Sequence, residues 1–131
     1  MSRSGYSEDC DGRELTMWRG AVNSAITGRR GQAFLREMLA AMDAMPVKRL
    51  IAHDLVKDGE VCAIGSVAVA RGVDVSDLDP ENSEGIAEHM GIADAMVREI
   101  AFINDNDHET PEQRFQRVYL WVKEQIKPAS G

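Results

Sequence analysis

The sequence predicts a mainly α-helical fold, a bundle of five or six helices with at most one short β-hairpin near residues 49–62. Apolar residues recur at intervals of three and four over most of the chain, the period of a helix with one buried face. Helix starts and stops are written out as threonine, aspartate, proline and glycine at the required places. Between apolar runs the one hairpin signal is the Asp58-Gly59 pair, so there are too few strands for a layered α/β fold.

The elements follow in order. Residues 1–12, rich in Ser, Gly and acid, read as a polar arm. Leu15, Trp18, Val22 and Ile26 then mark a helix over 13–27 that Gly28 stops. The segment TGRRG turns the chain on Gly28 and Gly31. Beyond it Phe34, Leu35, Met38, Leu39, Met42 and Met45 form a wide apolar stripe ending at Pro46. A methionine stripe at helical spacing is ordinary core far more often than an adaptable binding face.

RLIAHDLV reads as a short strand or an irregular extended piece that enters a small hairpin through Lys57-Asp58-Gly59-Glu60. CAIGSVAVARG is small and apolar, which suits a buried helix closed by Gly72, with Gly65 marking close approach to a neighbour. Asp79-Pro80 resembles a helix start, and Ile86, Ala87 and Met90 give that helix a short face ending near Gly91. A further face runs from Ala93 through Met96, Val97 and Ile100 to Ile103. Thr110-Pro111-Glu112-Gln113 is a capping box with proline at the first helical position; Phe115, Val118, Tyr119, Val122 and Ile126 follow on one face. The resulting organisation is one helical domain over 13–127 and a tail at 128–131.

Length and composition fit this reading. A chain of 131 residues with 44% apolar and 28% charged residues has the make-up of a single globular domain. Its longest uncharged stretch, residues 61–70, is about half of what a membrane span requires. The polar, acidic start lacks the apolar run of a secretory signal, so a cytoplasmic location and no membrane partner are expected.

Charge is the strongest functional signal. The net charge of −7 is uneven: residues 1–50 sum to +2 and residues 51–131 to −9. Between residues 74 and 112 twelve acids face one basic residue, Arg98, a sum of −11. Such a field repels phosphate, so direct nucleic-acid binding is not expected; it attracts a basic protein surface and speeds the encounter. The exposed carboxylates expected to serve such a partner are Asp74, Asp77, Asp79, Glu81, Glu84, Glu88, Asp105, Asp107 and Glu109. The competing explanation of the same charge is solubility.

Other site chemistry is sparse. Residues 77–88 place oxygens at positions 1, 3, 5, 7 and 12 of a calcium-loop template but set Asn82 where the turn needs glycine and Glu84 where an apolar residue belongs. Cys10 and Cys62 are 52 residues apart and the three histidines are scattered, so neither a disulfide framework nor a transition-metal site is indicated, and no cofactor is implied. Cys62 sits where an extended segment meets a helix, a place used by cysteine nucleophiles; His53, with Asp54 or Asp58 behind it, is the candidate base. The apolar neighbours Val61, Ala63 and Ile64 favour a buried, inert thiol instead. Arg29 and Arg30 could meet an anion at a helix start, but a solvated turn is the favoured explanation of them.

The stretches SRSGYSEDCDG, WRGAVNSAI, GRRGQAFLREMLAAMDAMP and DGEVCAIGSV, followed by NDND and TPEQRFQRV, resemble small uncharacterised proteins encoded by bacteriophages and prophages. The resemblance spans nearly the whole chain. A weaker similarity, confined to the CAIG helix and the ND…TPE segment, extends to a broader family in actinobacteria and their phages. It implies an accessory gene acting in a bacterial cytoplasm and assigns no catalytic residue. The function expected is a non-catalytic protein-binding factor, with inhibition of a host nucleic-acid-handling or antiviral defence complex as its sharpest form. The alternatives are a small cysteine-dependent enzyme using Cys62 and His53, and a virion or assembly component that self-associates through the methionine-rich face.

Overall fold

A computed structural model describes residues 12–106 and 108–128, with side chains from residue 17 onward. Six helices and one two-stranded antiparallel sheet make up the described residues: α1 (Gly12–Thr27), α2 (Arg29–Ala44), β1 (Val56–Lys57), β2 (Glu60–Val61), α3 (Ala63–Arg71), α4 (Ser83–Met90), α5 (Asp94–Asn104) and α6 (Pro111–Gln125). The protein is mainly α with one small hairpin, as the periodicity requires.

Helices α2 and α5 organise the packing. The first touches α1, α3 and α6, and the second touches α1, α3, α4 and α6. Leu35, Met38 and Met42 from α2, Ala63 and Val67 from α3, Met96 from α5, and Val118 and Val122 from α6 are all fully buried in one core cluster. The methionine stripe is therefore core at positions 38 and 42, and only Met45 reaches the surface in part.

The α1–α2 corner is tighter than a TGRRG loop. Gly28 alone separates the helices and serves as N-cap of α2, while Gly31 lies inside α2. A Cβ at Gly31 would stand 1.9 Å from the carbonyl oxygen of Ala25, so only glycine admits this approach. Gln32 staples the corner to the end of the chain: its amide donates to the carbonyls of Ile26 (2.8 Å) and Gln125 (3.0 Å), and its oxygen accepts from Lys127 N–H at 2.8 Å.

Between α2 and α3 the chain is mostly irregular, the second of the two alternatives for residues 49–56, and a strand begins only at Val56. Val56 pairs with Val61 and Lys57 with Glu60 across a turn in which Asp58 (φ 54°) and Gly59 (φ 80°) are both left-handed, the geometry that suits a right-twisted hairpin. Helix α3 lies against this segment through Gly65 and ends at Gly72 in the left-handed conformation (φ 71°). The α4 start is displaced from the expected Asp79-Pro80. Asn82 is its N-cap, accepting from Gly85 N–H at 3.2 Å, whereas Asp79 spends its carboxylate on a local turn to Glu81 N–H. The α6 start is as written in the sequence: Thr110 accepts from Gln113 N–H at 3.1 Å, and Gln113 accepts from Thr110 N–H at 2.9 Å.

Candidate functional site

The acidic stretch divides into two parts with opposite fates. In the first, the loop after Gly72 is pinned to the core by buried Val75 and partly buried Leu78, which leaves Asp74, Asp77 and Asp79 facing water. Helix α4 then buries Ile86, Ala87 and Met90 and projects Glu84 and Glu88, one turn apart, away from the core. Glu81 is exposed between them. No ion pair among the described residues reaches any of these six carboxylates. No Lys or Arg occurs between Arg71 and Arg98, so a field of one sign is left uncompensated locally. Asp74 is held ionised to lower pH than an ordinary aspartate because the backbone N–H of Ser76 donates to it at 2.9 Å.

The second part is consumed within the fold. Asp94 lies 3.8 Å from Arg98 on the next turn. Glu99, only 3% exposed, accepts two bonds of 3.0 Å from Arg19 and ties α1 to α5, where Arg98 also covers the Trp18 ring at 4.4 Å. Asp105 accepts from the His53 backbone N–H at 3.1 Å and from Asn104 Nδ2 at 2.9 Å. Glu109 takes the Arg117 guanidinium through Nε and Nη2, with Arg114 Nε 3.8 Å away. Those bonds from Arg117 hold the Glu109 carboxyl below its ordinary range against the opposing effect of burial. Glu112 lies 3.3 Å from Arg49.

Asp105 and Glu109 are thus internal partners, which corrects their expected place in a docking face. The reason lies in long-range pairing with His53 and Arg117 that local charge density does not reveal. Asp107 lies outside the described residues. The calcium-loop template over 77–88 is split between the Asp79 turn, the Asn82 cap and exposed positions of α4, and no group of three metal-binding side chains occurs among the described residues.

Cys62 is the N-cap of α3, 1% exposed, and its Sγ accepts from Gly65 N–H at 3.4 Å. Its own N–H donates to the Leu55 carbonyl at 3.0 Å. His53, in a left-handed conformation (φ 72°), carries a half-exposed ring whose Nδ1 stands 3.7 Å from Asp105 Oδ2. A carboxylate beside the His53 ring is thus Asp105, which the spacing along the chain did not single out. At Cys62 the geometry supplies a buried helix cap.

Two buried polar residues escaped the sequence reading. Asn104, at the end of α5, accepts from Ala63 N–H at 3.0 Å and donates to the Ile51 carbonyl at 2.8 Å, so it caps α3 from a distance. Arg114 gives its guanidinium to the carbonyls of Asn104 (2.8 Å), Leu50 (3.1 Å) and Asn106 (2.6 Å). A signal for Arg114 exists: it lies four and eight residues before Val118 and Val122, on the apolar stripe of α6, where a cation requires buried partners. No family model, curated protein or solved structure matches the chain.

Proposed function

We propose that the protein is a non-catalytic accessory factor of phage or prophage origin that binds a basic protein surface in the bacterial cytoplasm. The face it uses is the loop before α4 together with the outer side of α4: Asp74, Asp77, Asp79, Glu81, Glu84 and Glu88. One observation supports the reading: these six carboxylates are exposed and none has a Lys, Arg or His partner among the described residues, while each described carboxylate of residues 94–112 lies within 4 Å of an Arg or His side chain. A concentrated field of this kind accelerates association with a positive patch and selects against acidic partners. Surfaces that hold nucleic acid are basic by necessity, which makes a host nucleic-acid-handling or defence complex the chemically favoured target.

The test is capture of the tagged protein from host lysate, at low and at high salt, beside a D77N/E81Q/E84Q/E88Q variant. These four positions accept no hydrogen bond needed by the loop, so the variant keeps the fold. The expected result is a basic partner retained at low salt, released at high salt and lost with the variant. Equal capture by the variant would refute the proposal.

A further inference from the structure

A cleft of about 530 Å³ opens between the end of α2, the hairpin and α3. We infer that it is a binding site for an uncharged small molecule, an aliphatic body carrying one carbonyl oxygen that meets the Arg49 guanidinium. None of the six carboxylates of the acidic face lines the cleft, so the inference stands apart from that reading.

The lining sets the body of the ligand. Met45, Val47, Val56, Val61, Val69 and Ala70 form most of the wall. Val47, Val56 and Val69 are 58%, 42% and 59% exposed and supply three of the six large hydrophobic residues left open to water among the described residues. Their convergence on one concavity separates it from the scattered exposed apolar residues of any surface. No aromatic ring lines the cleft among the described residues, so nothing there selects a planar ligand by stacking. Ser66 is spent inside α3, where its hydroxyl donates to the Ala63 carbonyl at 2.6 Å. The fold holds the walls in place. The hairpin wall is set by the Val56–Val61 and Lys57–Glu60 pairs, the α3 wall by the contact at Gly65, and the α2 end by Lys48 Nζ, which donates to the carbonyls of Met42 and Asp43. The volume falls in the range of small-molecule sites, about 300–1,000 Å³.

Charge sets the head of the ligand. Arg49 and Glu60, one of each sign, are the charged lining residues. Arg49 Nε lies 3.4 Å from Glu60 and 3.3 Å from Glu112, so the cation is already flanked by carboxylates. An anionic ligand would set a third negative charge around one guanidinium, and a cationic ligand would set a second positive charge beside it. Either would also give up hydration to enter an apolar space. Neither carboxylate accepts from Nε, which is buried without a hydrogen-bond acceptor, so Arg49 is neutralised without being saturated as a donor. The side chain is 42% exposed, which leaves it within reach of a molecule in the cleft. An uncharged carbonyl supplies an acceptor and adds no charge.

Three probes of equal carbon count test this: methyl heptyl ketone, nonanoate and nonylammonium. Each is titrated into the isotope-labelled full chain, with amide shifts followed by NMR. The ketone should shift the amides of Val47, Val56 and Val69 and bind about ten-fold more tightly than either ion, since each ion loses hydration without gaining an unshared counter-charge. Arg49→Met removes the cation and leaves Glu60 and Glu112, so nonylammonium should become the tightest of the three. A V47N/V69N variant, altered only at residues more than half exposed, should keep its melting temperature and weaken all three probes about ten-fold. Amides at Val47, Val56 and Val69 that no probe moves, an ion that binds the unaltered chain as tightly as the ketone, or ketone binding unchanged in V47N/V69N would each overturn the inference. So would a ketone preference that survives Arg49→Met. A dimer in sedimentation that V47N/V69N abolishes would also overturn it, since the cleft would then belong to a second copy.

Discussion

Replacing Gly65 with alanine adds one methyl group at the contact that fixes α3 against the hairpin segment. A Cβ there would lie 1.9 Å from the Leu55 carbonyl oxygen, 2.9 Å from its carbon and 3.3 Å from Val61 Cβ. Carbon and carbonyl oxygen come no closer than about 3.3 Å in ordinary contact, so α3 or Leu55 must move by roughly 1.4 Å. Neither can yield by a rotamer change, since both sides are backbone. The Leu55 oxygen also accepts from Cys62 N–H at 3.0 Å, and the first turn of α3 is held by Asn104. Overpacking costs about 1–3 kcal/mol, and a buried donor left without its acceptor about 1–3 more. Alanine returns about 1 kcal/mol through its helix propensity, which leaves a net loss of about 3 kcal/mol. Gly20 provides the control: it is helical, nothing lies within 4 Å of its Cβ position, and alanine there should stabilise by about 0.5–1 kcal/mol. Urea unfolding followed by far-ultraviolet circular dichroism measures both variants. A Gly65→Ala protein within about 0.5 kcal/mol of the unaltered chain would refute the steric argument.

Glu109→Gln should cost about 1–3 kcal/mol at neutral pH, because it leaves Arg117 and buried Arg114 without their carboxylate. As the Glu109 carboxyl is lowered in the fold, its contribution is complete above the ordinary carboxylate range and vanishes as pH falls through the lowered value. The stability gap between variant and parent should close in strong acid, and a gap independent of pH would contradict the assignment. Thr110→Ala should remove about 1 kcal/mol with the capping box, while Thr110→Ser stays close to the parent in the same urea titration. In a Cys10→Ser background, iodoacetamide should label Cys62 at a rate that follows unfolding and rises with urea, given its 1% exposure. Rapid labelling in native buffer would return weight to cysteine chemistry.

What the sequence made legible is what local physics decides. The α6 capping box, the left-handed stops at Gly72 and Gly91 and the Asp58-Gly59 turn each depend on residues within a few positions of one another, and the close approach at Gly65 showed in the glycine itself although its neighbour, Leu55, lies ten residues away. The α4 start differs from the expected Asp79-Pro80 because the Asp79 side chain is taken by a turn of its own. Asp79-Pro80 has the better composition, yet Asp79 closes a turn with Glu81 and the helix waits for Asn82. Asp105 and Glu109 were misplaced for a different reason. Their partners lie 52 residues away at His53 and, for Glu109, two helical turns into α6 at Arg117, and composition carries no trace of such pairings.

That misplacement sharpens the functional argument. Counted along the chain, twelve acids over residues 74–112 suggest one broad negative face. In three dimensions Arg19, Arg49, Arg98, Arg114 and Arg117 are drawn to the acids of residues 94–112, and the unpaired charge contracts to 74–88. Stability alone favours the opposite arrangement there. Glu84 and Glu88 sit four residues apart on α4, a like-charged pairing that costs a helix about 0.2–0.5 kcal/mol, and a lysine at either position would reverse the sign. Solubility requires charge somewhere on the surface but not a run of 26 positions, 72–97, with no Lys or Arg; a basic partner would compensate that run.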